Sequence, residues 1–259
     1  MTTSSTASWV RHALVTGGGQ GIGAAIARRL VEQGCTVTVL GRRLDVVQAI
    51  ARQHPDRMQA VAADVTDAAQ VAQAFELARE RFGPIHILVN NAGQAASAPF
   101  MKTEQTLWDQ MLAVNLTGTM LCTQAALPDM LNAGWGRVVN VASTAGQTGY
   151  AYVSAYCAAK HGVIGLTRSL ALEFARKGIT FNAVCPGYTE TDIVATSIAN
   201  IVAKTGRTEA EARAELVKSN PQARLVQPDE VADAVSWLCG PHAGAVNGQA
   251  ISVAGGEVM

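Results

Sequence analysis

Charge is scarce in this chain, and what there is cancels. Asp, Glu, Lys and Arg make up 15% of 259 residues, with 20 basic side chains against 20 acidic ones. No basic run exceeds two residues, so the chain lacks the Lys/Arg track that phosphate-rich partners require. Neither nucleic acid nor an anionic membrane is an expected partner. Aromatic residues are few, at 5%. The cysteines (Cys35, Cys122, Cys157, Cys185 and Cys239) are odd in number, scattered, and form no Cys-x-x-Cys pair. They read as small buried residues in a reducing compartment, with no metal site among them. No apolar stretch is long enough to span a bilayer. The first eight residues are polar and carry neither an apolar core nor a basic start, unlike a signal peptide. These absences together predict a soluble, cytoplasmic protein.

What is abundant is apolar sequence, 49% of the chain, arranged in a rhythm. β-branched runs predict strands near Ala13–Thr16, Thr36–Leu40, Gln59–Ala62, Ile85–Asn90, Arg137–Val141, Thr180–Val184 and Ala250–Val253. Helical patterns fill the gaps, near Gly21–Glu32, Asp45–Gln53, Ala68–Phe82, Thr106–Leu131, Val153–Lys177 and Asp229–Leu238. Alternation of this kind implies an α/β fold, a doubly wound parallel sheet of Rossmann type with helices on both faces. Residues 1–10 read as a disordered terminus and 11–259 as one dinucleotide-binding and catalytic domain. The segment at about 191–221 breaks the rhythm. Thr208 with Glu211 makes a capping box there, and a long insertion past a predicted active-site strand is read as a lid.

Two motifs carry chemistry. The first strand breaks into Gly17, Gly21 and Gly23, with Gln20 and Ile22 between them, and a helix follows at once. Strand, glycine turn and helix is the context in which a pyrophosphate can approach backbone N–H groups at a positive helix end. Further on, Tyr156 and Lys160 stand four apart in Ser-Ala-Tyr-Cys-Ala-Ala-Lys, on one face if the stretch is helical. A nearby ammonium favours the phenolate, so the pair predicts a lowered Tyr156 pKa, toward the range where a general acid/base works best.

Read together, Thr16-Gly17-x-x-x-Gly21-Ile22-Gly23, Asn90-Asn91-Ala92-Gly93, Asn115, Ser143, Tyr156-x-x-x-Lys160 and Pro186-Gly187 resemble the short-chain dehydrogenases/reductases. Over Ser154 to Thr191 the chain is most similar to the β-ketoacyl-thioester and polyketide ketoreductase branches. The resemblance implies hydride transfer between a nicotinamide and a ketone or secondary alcohol. Tyr156 would supply the proton, Ser143 would hold the same oxygen, and Lys160 would lower the Tyr pKa and bind the nicotinamide ribose. Asn115 would hold a water linking Lys160 to solvent. It further implies that Asp64 and Val65 grip the adenine, that Asn91, Ala92 and Gly93 line the adenosine ribose and sheet centre, and that Pro186, Gly187 and Thr189 form the nicotinamide-side loop. One departure is Ala254, where the family usually has an acidic residue before its final Gly-Gly. That change is expected to touch subunit packing more than chemistry.

Cofactor choice is read at the second strand's end, Val39-Leu40-Gly41-Arg42-Arg43. An NAD enzyme usually has an acid there for the ribose 2′-OH. Gly41 fills that place, and Arg42 and Arg43 suit a 2′-phosphate, so NADP(H) is expected over NAD(H). Candidate substrate residues are Gln94, Ala95, Thr144, Gln147, Tyr150, Tyr188 and the lid from Ile193, with Ser143 shared. The expected substrate is a small-molecule ketone, chiefly a 3-oxoacyl thioester. The alternatives are an NAD-linked secondary alcohol or 3-hydroxyacyl dehydrogenase and a non-catalytic dinucleotide-binding regulator. His161 reads as a packing histidine, and Trp108, Trp135 and Trp237 as core or interface residues. Surplus apolar residues on the two longest helices (Met120, Leu121, Ala125, Leu127; Val163, Leu166, Leu170, Leu172) predict a homotetramer, with a dimer as the fallback.

Overall fold

The structure, a computed structural model, describes residues 10–259, so the expected frayed terminus lies outside the described residues except for the exposed Val10. The strands β1 His12–Thr16, β2 Thr36–Gly41, β3 Met58–Ala62, β4 Ile85–Asn90, β5 Gly136–Val141, β6 Ile179–Pro186 and β7 Ala250–Val253 form one sheet. Their order is β3-β2-β1-β4-β5-β6-β7, and every pair is parallel. The chain starts in mid-sheet, winds outward to β3, then returns beside β1 as β4 and winds the other way. That reversal opens a crevice past the carboxyl ends of β1 and β4, where ligands gather in doubly wound folds.

Alternation along each strand feeds two cores. Ala13, Val15, Val37 and Val39 pack with helices α1 (Gly21–Glu32) and α9 (Pro228–Cys239), while Leu14, Leu40 and Leu88 pack with α3 (Ala68–Phe82) and α5 (Gly118–Ala133). With both faces covered, the strands read as unbroken apolar runs, which is why they were legible. The remaining helices are α2 (Leu44–Ala51), α4 (Gln105–Leu112), α6 (Ser154–Glu173), α7 (Asp192–Thr205) and α8 (Glu209–Val217). None among the described residues is long and apolar enough to cross a membrane.

Several expectations need correction. The single helix expected over Thr106–Leu131 is α4 and α5 joined through a π-helical stretch, Ala113–Thr117. Asn115 lies inside it and turns its Nδ2 back to the Met111 carbonyl at 2.9 Å, a side-chain insertion of the kind that widens a helix. The helix expected over Val153–Lys177 ends at Glu173, and residues 175–177 form a 3₁₀ turn closed by Gly178 at φ 74°. The segment at 191–221 contains two helices with a small core of their own, Val194, Ile198, Ala212 and Leu225. The Thr208–Glu211 capping box is present at the start of α8. His161 is exposed, its Nδ1 bonded to the Cys157 carbonyl at 2.9 Å, so it is not a packing residue. Trp237 is 50% exposed, whereas Trp135 packs on the first core with the Arg11 guanidinium 3.7 Å from its ring centroid.

Candidate active site

The glycine turn after β1 is built for close approach. Gly17 has φ 62° and Gly21 φ 52°, conformations that L side chains rarely adopt. A Cβ on Gly23 would lie 2.2 Å from the Gly17 carbonyl oxygen and 2.4 Å from Asn91 Nδ2, so only hydrogen fits. Thr16 holds this turn against the next strand: its Oγ1 accepts from the N–H groups of Asn91 and Ala92, each at 3.0 Å. Asn91 Nδ2 in turn donates to the carbonyls of Thr16 (3.0 Å) and Gly17 (3.1 Å). Asn91 and Thr16 thus clamp the turn to the end of β4, a role of Thr16 that its place in the motif did not show. Helix α1 has no acidic residue in its first turn and no side-chain cap. Gln20 at the N-cap accepts a hydrogen bond from Arg43 instead. The leading N–H groups are left for an anion, and the residues fit a dinucleotide pyrophosphate.

Around this turn, Asp64 Oδ1 is held by the N–H and Oγ1 of Thr66, at 2.9 and 2.8 Å, and Val65 is buried against Gly118. Arg42 and Arg43 are exposed just past β2. A side chain at Gly41 would meet Val47 at 3.0 Å, so an acid there would be crowded. Across the crevice, Pro186 ends β6, Gly187 N–H donates to the Val253 carbonyl at 3.1 Å, and Thr189 Oγ1 donates to the Gly187 carbonyl at 3.0 Å. Thr191, opening the insertion, touches the position a Gly21 Cβ would take, at 3.2 Å.

Ser143, Tyr156 and Lys160 come together from the end of β5 and the first turns of α6. Ser143 Oγ accepts from the Ala145 N–H at 3.1 Å, so it does cap the following turn. That bond orients the oxygen and leaves its O–H free to donate toward the Tyr156 phenol. Lys160 is 4% exposed, donates to the Val141 carbonyl at 2.9 Å, and has its Nζ 5.7 Å from the Tyr156 ring centroid. The expected lowering of the Tyr156 pKa is not found. Burial pushes the phenol up to about 12, opposed mainly by the Ser143 hydrogen bond, and burial also draws the Lys160 ammonium down to about 8. Loss of hydration is the leading cause of both shifts. At neutral pH this leaves a protonated phenol and a cation beside it. The arrangement can give one oxygen a proton from Tyr156 and a second hydrogen bond from Ser143.

Asn115 spends its amide on backbone. Nδ2 donates to the Gln94 carbonyl (3.0 Å) and the Met111 carbonyl, and Oδ1 accepts from the Gln94 N–H at 3.2 Å. These bonds fix the strand-end loop beside Gly93. A Cβ on Gly93 would sit 2.9 Å from Asn115 Oδ1 and 3.6 Å from Lys160 Nζ.

The tentative substrate residues divide. Gln147 is tied to β7, its Nε2 donating to the Ala250 carbonyl (3.2 Å) and its Oε1 accepting from Ser252 (3.0 Å), so it is not free for a ligand. Gln94 Oε1 accepts from Gln110 at 2.9 Å. Tyr188 is 37% exposed, and its ring is 6.5 Å from that of Tyr150. Ala254 lies beneath Gly187, 3.1 Å from where a Cβ would stand, so it abuts the crevice.

Comparison with known proteins agrees with this geometry. The chain belongs to the short chain dehydrogenase family, whose profile matches residues 11–202. It is an NAD(P)-dependent oxidoreductase, and a ketone-reducing one. It is 40% identical to cis-4-hydroxycyclohexanecarboxylate dehydrogenase of Sinomonas cyclohexanicum over 95% of this chain and 96% of that protein. It is 36% identical to the 3-oxoacyl-acyl-carrier-protein reductase of Aquifex aeolicus over 94% of this chain and 95% of that one. Among solved structures, a variant of actinorhodin polyketide ketoreductase with NADPH superposes with a TM-score of 0.92 at 38% identity, covering 96% of this chain and 97% of that chain.

Proposed function

We propose that this protein uses NADPH to reduce the ketone of a 3-oxoacyl thioester to a secondary alcohol. The observation that carries the reading is the convergence of Ser143, Tyr156 and Lys160 beside a glycine turn into which no side chain fits. When bound, a nicotinamide dinucleotide supplies the hydride. The chain does the rest. The helix α1 N-terminus and Gly17–Gly23 turn hold the pyrophosphate, and Asp64 with Val65 borders the adenine. Tyr156 gives its proton to the carbonyl oxygen, Ser143 donates a second hydrogen bond to that oxygen, and Lys160 holds the ribose and keeps a positive charge beside the phenol. Asn115 is a positioning residue for the Gln94 loop and Gly93. The segment from Thr191 through α7 and α8 acts as a lid, and Thr191 itself already meets the glycine turn. The thioester reading draws on the 3-oxoacyl and polyketide reductases among the relatives.

The choice of NADPH rests on Gly41, where an acid would be crowded, and on the exposed Arg42 and Arg43. A charged hydrogen bond to a 2′-phosphate is worth about tenfold to a hundredfold in affinity. Replacing both arginines by alanine should lower kcat/KM for NADPH by about that factor while leaving NADH within about threefold. Steady-state kinetics with each cofactor checks this; a wild-type preference for NADH ends the reading.

The same helices support a homotetramer, with modification. Val163 is buried within the subunit, and Ala125, Leu127 and Leu170 pack partly on its own core. Leu172 is 82% exposed, and Met120, Leu121 and Leu166 are partly exposed. A partner subunit would cover these. Light scattering at micromolar protein should give the tetramer mass; a stable monomer contradicts it.

A further inference from the structure

Tyr150, on the loop after β5, and Glu257, in the segment after β7, are 107 residues apart, yet the Tyr150 hydroxyl donates to Glu257 Oε1 at 2.8 Å. The same oxygen accepts from Ser219 Oγ at 2.8 Å, just past α8. Oε2 lies beside Gly187, 2.9 Å from where a Cβ would stand. One carboxylate therefore joins the loop after β5, the loop after β6 and the end of the 192–217 insertion. Among the described residues no Lys or Arg is within ion-pair distance of it; Arg213 pairs with Glu190 and Arg224 with Glu230. Tyr188 connects this charge to the chemistry. Its ring packs edge-on against Tyr150, it lies within the field of Glu257, and it is itself a neighbour of the Tyr156 phenol.

We propose that Glu257 determines specificity by placing a fixed negative charge on the substrate side of the crevice, so that ketones bearing a free carboxylate near the carbonyl are disfavoured against neutral ones. The proposal rests on the ketone-reductase reading above. Gln94, Gln147, Tyr150 and Tyr188 offer no cation to hold a carboxylate, and Gln147 is bound to β7. Like charges repel, more strongly in a partly enclosed cleft than in bulk water, and salt that reaches the cleft weakens the repulsion. A 3-oxoacyl thioester carries no charge beside its ketone.

The test compares kcat/KM for methyl acetoacetate and acetoacetate, each with NADPH and the full-length enzyme. The wild type should favour the neutral ester. Glu257→Gln should move the ester-to-acid ratio toward acetoacetate by about tenfold or more, and Glu257→Asp, which keeps the charge, should move it far less. A second measurement needs no variant: raising salt to about 0.5 M should narrow the ratio in the wild type, because screening acts on the charged substrate alone. A ratio that moves with neither salt nor charge removal overturns the proposal while leaving the ketoreductase reading intact. Turnover of neither compound by the wild type, with acetoacetyl-CoA also unreduced, overturns both.

Discussion

Tyr156→Phe should lower kcat for ketone reduction by about a hundredfold to ten-thousandfold while changing NADPH affinity by less than about threefold. The substitution removes one oxygen from a partly buried ring and leaves its packing in place. Neither Ser143 nor Lys160 can replace it. Ser143 already accepts from Ala145 N–H, and its hydroxyl, with an ordinary alcohol's acidity, gives up a proton far less readily than the phenol. Lys160 donates to the Val141 carbonyl, with its Nζ 5.7 Å from the phenol ring centroid. Fluorescence titration with NADPH and stopped-flow turnover separate the two effects. A variant that retains more than a tenth of wild-type kcat would show that the proton comes from elsewhere.

Gly23→Ala should abolish dinucleotide binding or unfold the turn that makes it. The added carbon would lie 2.2 Å from the Gly17 carbonyl oxygen and 2.4 Å from Asn91 Nδ2, and neither is the free end of a flexible side chain. Asn91 is held by two carbonyls of the same turn, so relief would require β1 and β4 to part. Overpacking of this kind costs about 1–3 kcal/mol or more. NADPH affinity should fall at least tenfold and the melting temperature should drop by several degrees. Gly244→Ala is the control, since its new carbon would meet only Arg137 Nη2 at an ordinary 3.6 Å. Equal behaviour of the two variants would contradict the packing argument.

Much of this architecture is legible in the chain because the sheet is buried on both faces. Strands covered twice must be apolar and β-branched throughout, and the motif residues follow directly on those runs. What stayed hidden has physical causes. The π-helical stretch at Ala113–Thr117 keeps the apolar pattern of its neighbours, and only the side chain of Asn115 marks it. The direction of the Tyr156 shift depends on how far its environment excludes water, which a four-residue spacing does not report. Gln147 looked free because its partners, Ala250 and Ser252, are 103 and 105 residues away. Glu257 carried no sequence signal at all, since its partners Tyr150 and Ser219 are also distant. Thr16 could have been found: a hydroxyl on the last residue of β1, facing the end of β4, has few uses other than holding the next loop.

On the proposed function, Ser143, Tyr156 and Lys160 reduce a 3-oxoacyl thioester at the expense of NADPH. The direct measurement is NADPH oxidation at 340 nm with acetoacetyl-CoA and longer 3-oxoacyl-CoAs, alongside simple cyclic, sugar and steroid ketones, repeated with NADH. The expected result is turnover of the 3-oxoacyl thioesters with NADPH clearly preferred. Activity confined to sugars or steroids, or a clear preference for NADH, would contradict it.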